Sequence, residues 1–262
     1  MTRFFTPALL LLLTASAFAQ AAPDAPNLLV PDRPGLTNGS DTVLPGHLQI
    51  EIGITRSKGP SANPTAPAGQ SGGGASQTTD APETLLRTGL DSKTELRLTL
   101  PNYLWPSGSD SGFTDGAIGL RRKIYQSRTL KIALTPTLTV PLKTAVTSSG
   151  HVDPSLNLSG QLSSGARWTL ASNLILSYPT QSGRRLADYT GTGSATYALS
   201  GALSTFVDFS YDAPVGSAPS PIADGGFAYT LSKNMQLDVE TGRGLGGSAP
   251  TQFYGGGFVI VF

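Results

Sequence analysis

The chain has 262 residues, no cysteine and a formal net charge of +1. Without thiols it can form no disulfide and no thiolate metal site, and near-zero charge argues against a nucleic-acid partner, which would require a basic face. Only 13% of residues are charged and 39% hydrophobic, a charged share well below the roughly one quarter of soluble proteins. Strands that alternate apolar and polar residues against lipid are one way to make such a chain stable.

Met1-Thr2-Arg3 is a short positive lead, followed by the apolar run Ala8 to Leu13 and by Ala17-Phe18-Ala19 and Ala19-Gln20-Ala21. This is the pattern of a secretory signal peptide over residues 1–21, cleaved after Ala19 or Ala21. Its apolar core is far shorter than the roughly 20 residues of a spanning helix, and no later stretch is long enough to cross as one. Residues 22–45 are rich in proline, glycine and asparagine and carry no period. They read as a periplasmic lead or as a plug folded into a lumen, and both stay open.

From His47 the period becomes two. Leu48, Ile50, Ile52 and Ile54 alternate with Gln49, Glu51, Gly53 and Thr55, giving one apolar and one polar face. The pattern recurs along the chain and predicts about twelve strands of bilayer-crossing length. They cover 46–57, 83–90, 94–104, 114–125, 129–142, 154–163, 167–178, 188–199, 202–212, 222–231, 235–242 and 253–262. Short connections near 91–93, 126–128, 164–165, 200–201 and 232–234 alternate with long ones at 58–82, 105–113, 143–153, 179–187, 213–221 and 243–252. Periplasmic turns and extracellular loops of a transmembrane barrel alternate in this way. The first long loop holds Ser71-Gly72-Gly73-Gly74 and is expected to be mobile.

Aromatic residues gather at predicted strand ends, as interfacial girdles require. Trp105, Tyr178, Tyr189, Tyr211 and Tyr254 fall toward the outside, and Trp168, Tyr197, Tyr229 and Phe262 toward the periplasm. The terminal Phe262, preceded by alternating apolar residues, has the form of the signal read by barrel-assembly machinery.

Pro31-Asp32-Arg33-Pro34-Gly35 and the run Thr42 to Glu51 resemble the opening of the phenol-degradation meta-pathway family of outer-membrane proteins. Leu85-Leu86-Arg87-Thr88-Gly89-Leu90, Glu95-Leu96-Arg97-Leu98, and Leu237-Asp238 with Gly242-Arg243-Gly244-Leu245 fit its later strands. The resemblance spans the mature chain. It implies an outer-membrane barrel and passage of small organic molecules, and it brings no catalytic residues.

On the polar parity the charges divide. Arg87, Arg97, Arg121, Lys123 and Lys131 fall on strands two to five; Asp208, Asp224, Asp238 and Glu240 fall on strands nine to eleven, about half a turn away in a twelve-stranded closure. A basic wall facing an acidic wall would set a transverse field that selects permeants by charge and dipole. Alternatively, with Glu51 and Glu95, these groups form a salt-bridged interior that plugs the tube. Both readings stay open.

Catalysis finds little support. His47 and His151 are the only histidines and neither sits in a metal spacing. His151 with Val152-Asp153-Pro154-Ser155 does not reproduce an outer-membrane lipase motif, and Asp188 with Asp224 is a weak acid pair. The Gly242–Gly247 run matches a dinucleotide-binding string but no helix follows it. The expectation is therefore an all-β, single antiparallel transmembrane barrel over 46–262 that passes small organic molecules, aromatic or otherwise hydrophobic ones included. No enzyme activity and no cofactor are expected; the partners are outer-membrane lipid, a small-molecule permeant and barrel-assembly machinery. The alternatives are a lipid-modifying enzyme and a non-conducting structural barrel.

Overall fold

The computed structural model describes residues 28–59, 61–62, 71–72, 77–143, 145–181, 183–247 and 249–262; the expected signal peptide lies outside them, as does most of the 58–82 glycine run. Twelve long strands form one antiparallel sheet: β1 (Leu48–Lys58), β2 (Gln77–Gly89), β3 (Thr94–Thr99), β4 (Gly116–Gln126), β5 (Leu130–Val140) and β6 (Pro154–Ser164), then β7 (Trp168–Ser177), β8 (Asp188–Ala198), β9 (Leu203–Pro214), β10 (Ser220–Ser232), β11 (Met235–Gly244) and β12 (Gln252–Val261). Each pairs with its sequence neighbours, and β1 also pairs with β12 from Gln49↔Val261 to Lys58↔Gln252. The sheet is thus a closed barrel without an edge, as backbone surrounded by lipid demands.

The strand count and the alternation of short turns with long loops match the periodicity. Two details differ. β2 starts at Gln77 rather than residue 83, because the polar stretch Gln77–Asp80 pairs with Thr55–Lys58 across a register shift. That shift falls next to Pro82, which cannot donate to a ladder and so sits at an irregularity. The third and fourth strands are interrupted at 100–102 and 114–115. Pro101 breaks the ladder there, and the chain recovers by exchanging Asn102 and Thr114 bonds before Tyr103–Pro106 rejoins β2.

The barrel is inverted relative to a soluble protein. Leu174 is 66% exposed and Val207 64%, whereas Arg87 and Glu95 are both 0% exposed. Leu134, Leu158 and Leu174 make a continuous outward row across β5, β6 and β7. Trp105, Tyr178, Tyr189, Tyr211 and Tyr254 at one rim are all exposed, as are Trp168 and Phe262 at the other. The Trp168 and Tyr197 rings meet at 4.7 Å, with Arg167 donating to the Tyr197 hydroxyl. Aromatic bodies with polar tips at both ends suit the lipid headgroup level.

Outside the barrel wall, Asp153 latches two long loops. It accepts from the Thr180 amide and hydroxyl and from the Ser149 hydroxyl, at 3.0, 2.6 and 2.8 Å. Burial opposes its ionisation, but these donors outweigh it and hold the carboxyl below its ordinary range. A depressed carboxylate stabilises above its unfolded value and loses that contribution as pH falls through the folded one. Pepsin nicking of loops 141–153 and 178–187, measured relative to an unstructured peptide at each pH, should therefore stay slow at pH 5 and rise only below about pH 4. Asp153→Ala should speed thermolysin nicking of the same loops about tenfold at neutral pH, as expected for charge-assisted bonds of roughly 1.5 kcal/mol. A second prediction tests the inversion: Leu158→Arg, on the outward row, should cost about 2–4 kcal/mol in urea refolding into lipid vesicles.

Candidate functional site: a strap inside the barrel

The inward parity of the strands meets residues 28–45, an N-terminal strap that runs within the barrel. Leu29 packs on Val259 and Val261 of β12, and the Leu28 amide donates to the Lys233 carbonyl in the short turn between β10 and β11. The strap then climbs, turns at Pro34-Gly35, and returns to the same end, where Pro45 bridges Gly89 beside the start of β1. Such a path leaves its backbone groups to be satisfied by wall side chains, and the wall supplies them strand by strand.

On β1, Gln49 binds the Val30 backbone in both directions, and Glu51 accepts from the Asp32 and Arg33 amides at 3.1–3.2 Å. On β11, Glu240 accepts the Gly35 amide at 2.8 Å; on β9, one Asp208 oxygen accepts the Leu36 and Thr37 amides at 2.8 Å each. Gly35 has φ +96°, a conformation that glycine adopts freely; it turns these successive N–H groups toward the carboxylates. Leu36 packs against Ile222 of β10, Ala249 and Phe253. Thr37 meets Thr192 of β8 at 2.8 Å, Asn38 meets Asn173 of β7, and Ser40 meets Ser159 of β6. Lys131 of β5 holds Asp41 at 2.6 and 2.8 Å, and Glu95 of β3 accepts the Val43 amide. With Arg87 of β2 and Arg121 of β4, every barrel strand contacts the strap.

Two consecutive strap residues reach opposite charge fields. Asp32 lies against the basic strands: Arg121 grips it with both nitrogens, at 3.1 and 2.9 Å, and Arg97 lies at 2.7 Å. Arg87 extends the cluster, forked onto Glu95 at 3.0 Å and onto Glu51 at 2.9 Å, while donating to the Val30 and Asp41 carbonyls. Arg33 reaches the acidic side, 3.0 Å from Glu83 and 3.5 Å from Asp238. Its guanidinium lies over Gly53 and Gly257, cross-strand partners on β1 and β12. A Cβ at Gly53 would come within 2.2 Å of it, so the wall is hollowed there to receive it.

The structure thus gathers Glu51, Arg87, Glu95, Arg97 and Arg121 into one buried network. It sets Lys131, Asp208, Asp238 and Glu240 each against the strap. Asp224 lies across from Asp208 in register, buried, with both oxygens lacking a hydrogen-bond partner among the described residues. Lys123 stands apart near the short-turn end of β4, beside Lys93, Tyr125 and Gln126. Asp188 pairs across to Pro214 and Ser177, not with Asp224; His47 is half-buried at the start of β1 and His151 is exposed. Sequence reasoning overlooked Asp32, Arg33 and Asp41 as site residues, and also Glu83, which shares the inward parity of Arg87. Their signal was the excess of inward charge, which needs counter-charges that the wall alone does not carry.

The network's worth can be measured. Arg87→Met would leave Glu95 and Glu51 in the interior without their main partner, and loss of one member of a buried pair typically costs about 3–5 kcal/mol. We expect a loss of that size in urea unfolding, and a smaller one when Glu95→Gln is added. A double variant that loses clearly less than the two single losses added together would show that coupling, and an additive one would show none.

Among curated proteins none matches the chain. Three solved structures illustrate its likeness in fold. The COG4313 outer membrane channel from Pseudomonas putida F1 aligns at TM-score 0.60 and 16% identity, covering 88% of this chain and 99% of that one. The KdgM porin aligns at 0.57 and 13%, covering 82% and 99%, and the NanC porin at 0.55 and 9%, covering 81% and 98%. At these identities the likeness speaks for the barrel alone, the architecture of outer-membrane channels. The family model described as "Putative MetA-pathway of phenol degradation" matches residues 31–262, from the strap to the last strand, and the chain belongs to that family.

Proposed function

We propose that the protein is an outer-membrane channel for small organic molecules, and that residues 28–45 are a plug whose displacement opens it. The observation that carries this reading is the strap's contact with all twelve strands through mostly polar groups. A segment needed only for stability would be expected to bury apolar surface, because buried ion pairs are weak stabilisers compared with hydrophobic packing. A segment that must leave and return is better held by many exchangeable polar bonds. Apolar patches lie at the start of its path, around Val259, and near its middle, where Leu36 meets Phe253, with polar contacts between and beyond them. That sequence of surfaces suits solutes with an aromatic or aliphatic body and a polar group, in keeping with the family's description.

The absence of cysteine makes a tether straightforward. Thr37 and Thr192 hydroxyls lie 2.8 Å apart, so Thr37→Cys with Thr192→Cys can join strap and wall. In planar bilayers the oxidised double variant should lose conductance by at least tenfold, and a reductant should restore it. Gly53→Ala should act oppositely: its new Cβ collides with the Arg33 guanidinium and should raise open probability without removing a charge. A barrel that conducts equally when tethered would show the strap is no gate, and one silent in every form would favour a structural barrel.

A further inference from the structure

We infer that the basic cluster around Arg121 is a carboxylate-binding subsite of the lumen, occupied at rest by the strap's own Asp32 and Asp41. This rests on the channel reading above and names the chemical class that the site takes: small organic carboxylates.

The inference starts from how Arg121 is satisfied. It is 1% exposed, yet each of its hydrogen bonds goes to the strap: to both Asp32 oxygens, the Asp41 carbonyl and the Asn38 side chain. Among the described residues the wall offers it only Glu95, at 3.7 Å, and Glu95 is already taken by the fork of Arg87 at 3.0 Å and by Arg97 at 2.8 Å. Lys131 is in the same position, its ammonium bound to Asp41 alone among the described residues. Arg87, by contrast, keeps Glu51 and Glu95 whether or not the strap is present.

Charge gives the same answer. Around Arg121 the wall contributes four cations, Arg87, Arg97, Arg121 and Lys131, and two carboxylates, Glu51 and Glu95. Asp32 and Asp41 complete the balance. When the strap moves away, two positive charges are left in an enclosed interior, a costly state unless an anion enters. The geometry specifies which anion. Arg121 presents two parallel N–H bonds to one carboxylate while Arg97 reaches the same group at 2.7 Å. This is the bidentate arrangement that planar carboxylates match and that halide ions cannot. Asp32 therefore acts as a resident mimic, and a permeant carboxylate is what can replace it.

Benzoate is a suitable probe, with benzyl alcohol as its uncharged counterpart. Detergent-solubilised Asp32→Ala protein, full length and with its strap otherwise intact, is titrated by calorimetry. Benzoate should bind with millimolar or better affinity, at least tenfold more tightly than to the unaltered protein, where Asp32 competes. Benzyl alcohol and chloride should not bind measurably, and adding Arg121→Gln should abolish benzoate binding. Should that combination fold poorly, Arg97→Gln in its place should weaken binding at least fivefold. Benzoate binding that is absent in Asp32→Ala, or indifferent to both arginines, would overturn the subsite. Bilayer recording of the same proteins keeps the two readings apart: arginine-dependent binding without conductance would uphold the subsite and sink the channel, and conductance without binding would do the reverse.

Discussion

Closure of β1 against β12 is the constraint from which the rest of the molecule follows. Lipid offers no hydrogen bonds, so a chain crossing it as strands has to pair every backbone group, and the ladder from Gln49↔Val261 to Lys58↔Gln252 removes the last free edge. Once the sheet is closed, side-chain parity acquires a fixed meaning. The odd face of β1 is enclosed with the inward faces of eleven other strands, and whatever stands there can be solvated only by the interior. Arg87, Arg121, Glu51 and Glu95 are each at most 1% exposed. Their charges must then be answered inside the tube.

The wall answers them only in part, and the strap supplies the remainder. An extended segment sends successive side chains in opposite directions, which is how neighbouring Asp32 and Arg33 come to serve a basic and an acidic field at once. The strap's backbone is used with equal economy: amides of Asp32, Arg33, Gly35, Leu36 and Thr37 all end on wall carboxylates. Charge-assisted bonds of this kind are roughly twice as strong as neutral ones, so a short segment with few apolar residues can still be held in one place.

Most of the barrel was legible because a two-residue period is a local property. Leu48, Ile50, Ile52 and Ile54 declare their face without reference to any other strand, and length alternation declares which end of each strand is which. Where a strand is polar on both faces, as at Gln77–Asp80, the period carries no signal and the start of β2 was hidden. Pro101 likewise interrupts a strand that hydrophobicity alone would continue. The site was legible by parity, since Arg87, Glu95, Arg97 and Arg121 are inward by position, but their partners were not. Asp32 and Asp41 lie in a segment without a period, and their contacts reach residues 89 and 90 positions away. Only the three-dimensional closure brings those positions together.

Shape, as well as charge, argues that strap and wall belong together. A barrel that merely needed a counter-charge for Glu83 and Asp238 could have taken a lysine or arginine from a neighbouring strand. Instead Gly53 and Gly257 stand opposite each other and leave a hollow that any side chain would fill, with the Arg33 guanidinium lying in it. Glycine in a strand interior weakens the strand and is tolerated where another group must approach closely. Two facing glycines therefore mark a position where the wall gives up local stability to admit the strap. The acidic side shows the complementary feature: Asp224 faces Asp208 with no donor among the described residues, so the strap neutralises that wall less completely than the basic one. The strap's ion pairs with the wall accordingly run through Asp32, Arg33 and Asp41, beside its amide bonds to Glu51, Asp208 and Glu240. A segment held by discrete polar bonds can exchange them one at a time, whereas a uniformly apolar one would have to expose its whole face to water at once.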